Sequence, residues 1–142
     1  MGLLQIESNS KYVTAAVHAA VAVTVADTGI TGSLDLGDAT KVKDFDGELM
    51  FVAICTASTA PTSLTLKVQD SADNTTFADV NGTNGIVSPA FGASPNNTCV
   101  TVGAGKSQLR RYVRLASRAI TGTSFTISAY AVYGVRGQIP AA

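Results

Sequence analysis

The sequence predicts an all-β protein, an antiparallel β-sandwich or jelly roll of about eight strands led by an extended N-terminal arm. Three observations carry that expectation. The 142 residues include 17 Thr, 15 Val, 12 Ser and 13 Gly against two Glu, four Gln, five Lys and two Met, so residues suited to strands and turns far outnumber helix formers. Apolar and polar residues alternate over short runs, with Leu64, Leu66 and Val68 set against Thr65, Lys67 and Gln69. Turn-forming residues punctuate the chain at roughly every 8–14 positions, with no convincing helix between them.

Residues 1–25 read as a segment of their own, an arm running into a first strand, and residues 26–142 as the sandwich domain. The segment opens on apolar Leu3, Leu4 and Ile6, passes through polar residues 7–11, and continues as an alanine- and valine-rich run over 12–25. Val13, Val17 and Val21 recur at helical spacing, whereas Val21, Val23 and Val25 alternate; without an acidic first turn or a glycine stop, the extended reading prevails. Asp-Thr-Gly at 27–29 and Thr-Gly-Ser at 31–33 supply turns before a short strand holding Leu34 and Leu36. Residues 48–56 follow a second turn as a continuous apolar run, expected to be central and buried on both faces. Residues 63–70 alternate as a strand with one wet face, a polar turn covers 70–75, and 76–80 returns as the second strand of a hairpin. Residues 81–97 carry two of the four prolines and read as a loop excursion at one end of the fold. Strands over 99–102, 109–115 and 124–133 complete the set.

Composition narrows function before any motif does. Hydrophobic residues make up 46% and charged residues 14%, which excludes disorder as the main state, and ten basic residues cancel ten acidic ones. No net field draws a nucleic-acid backbone or an anionic membrane, and no stretch approaches the about 18 apolar residues of a membrane-spanning helix. The first residues lack the basic and apolar regions of a secretion signal, so a soluble, unprocessed protein is expected. One histidine, His18, stands without a neighbouring ligand, and Cys55 and Cys99 match no metal-ligand spacing; no cofactor or metal is expected. The cysteines form either a single disulfide or two buried thiols, and the apolar neighbours of Cys55 favour thiols.

Several local patterns invite chemistry and are better read as structure. Gly-Ala-Gly-Lys-Ser at 103–107 lacks the earlier glycine of a phosphate loop, with Val100 in its place, and precedes a strand-like run rather than a helix. Arg110, Arg111, Arg114 and Arg118 cluster, yet strand geometry puts Arg110 and Arg114 on one face and Arg111 on the other, so ion pairs are expected of them. Asp70, Asp73 and Asp79 bracket the hairpin without the ligand alternation of a calcium loop, and turn stabilisation is their expected role. No nucleophile motif or second histidine supports an enzyme.

The segment Ser-Leu-Thr-Leu-Lys-Val-Gln-Asp-Ser-Ala-Asp-Asn-Thr-Thr-Phe-Ala-Asp-Val at 63–80, with Leu-Arg-Arg-Tyr-Val-Arg-Leu at 109–115 and a last strand ending in Tyr-Gly at 133–134, resembles the capsid cement, or decoration, proteins of tailed bacteriophages over residues 30–136. The resemblance implies a jelly-roll structural protein on the outer surface of the virion capsid, made in the host cytoplasm, bridging major capsid protein subunits and associating as a homodimer or homotrimer. On that reading the arm reaches across a neighbouring subunit, with Leu3, Leu4, Ile6 and Tyr12 as anchors, and Tyr130, Tyr133 and a tail containing Ile139 form a second contact. The same hairpin also resembles discoidin-type carbohydrate-binding jelly rolls, which usually carry a tryptophan where this chain has Phe77. That alternative, a module on a head or tail fibre, would use the loops over 70–97 with Phe77 or Phe91.

Overall fold

The computed structural model describes residues 10–16, 20–37, 45–82 and 85–136. They form one antiparallel sheet of seven strands: β1 (Ser10–Ala16), β2 (Val21–Val23), β3 (Leu34–Asp35), β4 (Phe45–Ser71), β5 (Ala78–Asp79), β6 (Cys99–Gly105) and β7 (Tyr112–Arg136). The all-β, antiparallel expectation holds, and the strand count differs for a definite reason. The runs at 48–56 and 63–70 are two halves of the single strand β4, of 27 residues, and those at 109–115 and 124–133 fall largely within β7, of 25 residues. These two strands pair from Phe45–Val135 to Ser71–Tyr112 and make a long ribbon to which every other strand is attached.

The ribbon keeps its ladder through a segment that reads as a break. Thr-Ala-Pro-Thr at 59–62 contains a proline, which has no N–H to give, and Ala60 at a positive φ of 42°. Register shifts at Cys55/Ala57, Pro61/Ser63 and Thr65/Leu66 absorb these irregularities as bulges. Two shifts add a residue to β4 and one adds a residue to β7, so β4 is longer by one net residue, which exchanges the set of its side chains that shares a face with the odd-numbered residues of β7. Before the bulges the buried side chains of β4 are the odd-numbered Leu49, Phe51, Ala53 and Cys55; after them they are the even-numbered Leu64, Leu66 and Val68. Both rows join one core with Val113, Leu115, Phe125, Ile127, Ala129 and Ala131 of β7 and with Val23, Ile30, Leu34, Val80, Phe91 and Val102. Each fully buried Phe or Leu there contributes about 1.5–3 kcal/mol by leaving water.

The rest of the chain packs along the ribbon's edges. On the half nearer Arg136, β1 and β2 line β7 while β6 lines β4; on the other half, β3 and a bridge at Gly29 line β7 while β5 lines β4. The strand expected within residues 1–25 begins at Ser10, and Ser10–Ala16 pairs along β7 with Ser10 opposite Arg136 and Ala16 opposite Tyr130. Residues 1–9 lie outside the described residues. The loop reading of 81–97 holds in that its described residues form no regular strand, but part of it packs on the sheet. Residues 86–91 run along the edge of β4, where Leu64 and Phe91 exchange backbone hydrogen bonds of 3.0 and 2.8 Å, Ser88 N–H donates to the Leu66 carbonyl, and Phe91 is buried. Backbone groups of β4 thereby find partners without a regular strand. Asp27, Asn74, Asn81 and Asn97 turn the chain at φ values of 63–64°, a region that Asn and Asp tolerate better than other side chains.

Gly122 faces Pro61 across the bend at a φ of 113°, and a β-carbon there would stand 2.5 Å from the Ala60 carbonyl oxygen and 2.8 Å from the Thr62 nitrogen. Neither backbone can yield without breaking the ladder. Gly122→Ala is therefore expected to cost about 2–4 kcal/mol in urea unfolding, whereas Gly92→Ala, with open space around it, is expected to stay within about 0.5 kcal/mol. Equal effects at the two positions would show that the bend does not depend on the close approach.

Candidate functional site

The sheet presents two outward faces of different chemistry, one on each half of the ribbon. On the half nearer Arg136, cross-strand pairing sets side chains in rows: Cys99, Ile54 and Ser128; Thr101, Val52 and Tyr130; Gly103, Met50 and Val132. Ile54, Val52, Tyr130 and Val132 are half-buried and Met50 is 38% exposed, so the continuous apolar run at 48–56 is covered on one face only. None of these nine positions carries a charge; at the rim, Glu48, exposed and two residues before Met50 on the same face, lays its carboxylate against Gly103. An uncharged patch of branched side chains, a methionine and a tyrosine is the composition favoured at the centre of protein interfaces.

On the other half the outward face is polar, and it is not wet. Lys67 and Gln69 are buried, against the alternation reading of 63–70, because Asp27, Asp79 and the side chain of Arg114 are bonded to them. Lys67 Nζ donates to Asp27 Oδ1 and, at 3.1 Å, to Asp79 Oδ2; its side chain is 7% exposed. Burial works against the Lys67 charge, but the two carboxylates outweigh it and hold the amine above its ordinary pKa. Burial likewise pushes the Asp79 carboxyl up, while hydrogen bonds from Gln69 and Lys67 and the charges of Lys67 and Arg118 bring it below its usual value. Gln69 is shared in both directions. Its Nε2 donates to Asp79 Oδ1 at 2.9 Å, and its Oε1 accepts from Arg114 Nε at 2.9 Å and Nη2 at 2.8 Å.

The three hairpin aspartates do three separate jobs. Asp70 is gripped by Arg110, whose backbone N–H, Nε and Nη2 reach its carboxylate at 2.8, 2.8 and 2.6 Å. Asp73 accepts from the Thr76 and Thr75 backbone N–H groups, both at 2.9 Å, which with the Ser71 hydroxyl hold its carboxyl well below the usual carboxylate range. Asp79 serves the Lys67 cluster. Among the described residues no three His, Cys, Asp or Glu side chains gather to hold a metal ion. The arginine expectation is met in two of four cases, with Arg110 paired to Asp70 and Arg111 to Asp35 at 2.9 Å.

Of the expected contact residues, Tyr130 sits at the centre of the uncharged face, opposite Val52. Backbone register places Tyr12 opposite Gly134, inside β1, and Tyr133 opposite Leu49. Leu3, Leu4, Ile6, Ile139 and His18 lie outside the described residues. Both cysteines are free; Cys55 is buried, and Cys99 is exposed because it pairs with Ile54 on the outward row. For the sugar-binding alternative, Phe91 is in the core and the Phe77 ring is covered on one face by the Arg114 guanidinium, 4.2 Å from its centroid. Lys-Ser-Gln at 106–108 forms one 3-10 turn after β6. The Arg114–Gln69–Asp79 relay was not foreseen, since it joins residues 45 and 10 positions apart and only the strand register reveals it.

The sign of the Asp79 shift yields a pH expectation. A carboxylate whose native pKa is depressed stabilises the fold above the ordinary carboxyl pKa, and that stabilisation is lost as pH falls through the native value. Asp79→Asn should unfold about 1–3 kcal/mol more easily than wild type at pH 7, with the gap narrowing below about pH 4 in urea titrations. A gap that stays constant down to pH 2 would contradict the ionic role.

No family model matches this chain and no curated protein is significantly similar to it, so its function has to be argued from the two sheet faces themselves.

Proposed function

We propose that this chain is a structural virion protein, an antiparallel β-sandwich of jelly-roll type that binds the outer surface of an icosahedral phage capsid and bridges major capsid protein subunits. The observation that carries the reading is the uncharged outward face centred on Val52 and Tyr130, which lies on the same half of the ribbon as the Ser10–Arg136 pair. Residues 1–9 and 137–142 both join the sheet at that pair, so Leu3, Leu4, Ile6 and Ile139 are tethered beside one end of the face. Nine residues reach about 30 Å when extended, at about 3.3 Å per residue, enough to cross onto a neighbouring subunit.

The role asks for area and repetition rather than chemistry. A half-buried tyrosine surrounded by branched aliphatic side chains gives contact area at low entropic cost. A homodimer or homotrimer engaging several equivalent coat subunits gains about 10²–10⁴ in avidity over a single contact, so each contact can remain modest. Zero formal net charge also suits a shell carrying many copies side by side, where like charges would repel.

Co-sedimentation with capsids assembled from the coat protein of the encoding virus tests the reading. Wild type should pellet with the shells; deletion of residues 1–9 should leave unfolding unchanged and abolish pelleting; Tyr130→Lys should weaken it at least about tenfold by placing a charge in the face. Failure of wild type to bind, or normal binding by both variants, would overturn the proposal.

A further inference from the structure

Among the arginines whose side chains are described, Arg114 is set apart from Arg110, Arg111 and Arg118. Arg110 and Arg111 are ion-paired with Asp70 and Asp35, and Arg118 lies near enough to Asp79 for its charge to act on that carboxyl. Every hydrogen bond of Arg114 goes to one neutral acceptor, Gln69 Oε1, through Nε and Nη2. The guanidinium is nonetheless held in place from three sides. Gln69 clamps its Nε edge, the Phe77 ring lies under its plane at 4.2 Å, and Gly29 stands against Nη1, where a β-carbon would come within 3.0 Å. The side chain is half-buried, and burial pulls its pKa below the ordinary arginine value with no carboxylate acting against it.

A partly desolvated cation with a neutral clamp is costly for a monomer, because its Coulombic compensation is missing. Gln69 also relays it to Asp79, so the amide is fixed at both ends and cannot turn away. Gln69 occupies the Nε side of the guanidinium, and the end formed by Nη1 and Nη2 retains donors with no acceptor among the described residues. Two parallel N–H donors at that spacing match the two oxygens of a carboxylate.

We infer that Arg114 is a recognition residue whose clamped guanidinium receives an acidic side chain of a protein partner end-on. A singly charged carboxylate suits the site better than a dianion, because Asp79 lies only one side chain away across Gln69. Arginine held against an aromatic ring and desolvated in this way is the type of residue that dominates binding energy at protein interfaces. The inference rests on the proposed docking role only for who the partner is; carboxylate recognition itself belongs to the free protein.

Titration of the 15N-labelled full chain with acetylated, amidated tetraglutamate separates the two. The Arg114 Nε–H resonance and the backbone amides of Gly29 and Phe77 should shift saturably with tetraglutamate and stay fixed with tetraglutamine. Arg114→Lys, which keeps the charge and loses the fork, should weaken tetraglutamate binding at least about tenfold. No saturable shift, equal shifts with tetraglutamine, undiminished binding by Arg114→Lys, or inorganic phosphate acting at lower concentration would each overturn the inference. A wild-type protein that binds tetraglutamate and ignores capsids would refute the virion role while leaving the carboxylate site standing.

Discussion

The β4–β7 ribbon is the constraint from which the rest of the structure follows. Two strands of 27 and 25 residues exceed the usual strand length several-fold, and such a ribbon must twist and bend to bury one face. The bend is placed where Pro61 cannot donate to the ladder and Gly122 can adopt a backbone angle that other residues resist. Bulges on either side exchange the faces of β4, which lets Leu49, Phe51 and Ala53 before the bend and Leu64, Leu66 and Val68 after it enter the same core. The short strands β2, β3 and β5 would have no independent stability; each gains it by pairing with one of the two long strands.

Bending the ribbon also divides the outer surface into two halves with different duties. On one half, small, branched and aromatic side chains leave an uncharged face beside the point where residues 1–9 and 137–142 join. On the other, Lys67 and Gln69 are buried and linked by hydrogen bonds to the half-buried Asp79 and Arg114, so that half gains rigidity from polar contacts whose members are nearly all partnered. Arg114 is the member whose pairing is incomplete among the described residues. On the proposed docking role, one face would give area and the other direction.

Much of the fold was legible in the sequence because strand alternation survives wherever only neighbouring strands matter. Phe125, Ile127, Ala129 and Ala131 alternate and are buried, Leu34 begins a two-residue strand, and Asp27 and Asn74 turn the chain where turn residues cluster. What escaped depends on long-range register. Lys67 and Gln69 are outward by alternation and buried by residues 27–29 and 79, which no local pattern announces. The segment 81–97 has loop composition, yet it carries Val87 and Phe91, and apolar residues isolated among prolines and glycines were the one local sign that it would pack on an edge. Cys99 is exposed for the same kind of reason, its partner across the ladder being Ile54 on the outward row.

The proposed docking role makes the face centred on Val52 and Tyr130 the surface by which this protein is fastened to a repeating shell. A reconstruction by electron cryo-microscopy of particles carrying the protein tests that claim most directly. The account predicts density for the seven-stranded body on the outside of the shell, with Met50, Val52 and Tyr130 turned toward coat subunits and the Ser10–Arg136 end of the sheet nearest a subunit boundary. A body oriented with that face toward solvent, or particles that mature without the protein anywhere on their surface, would contradict it.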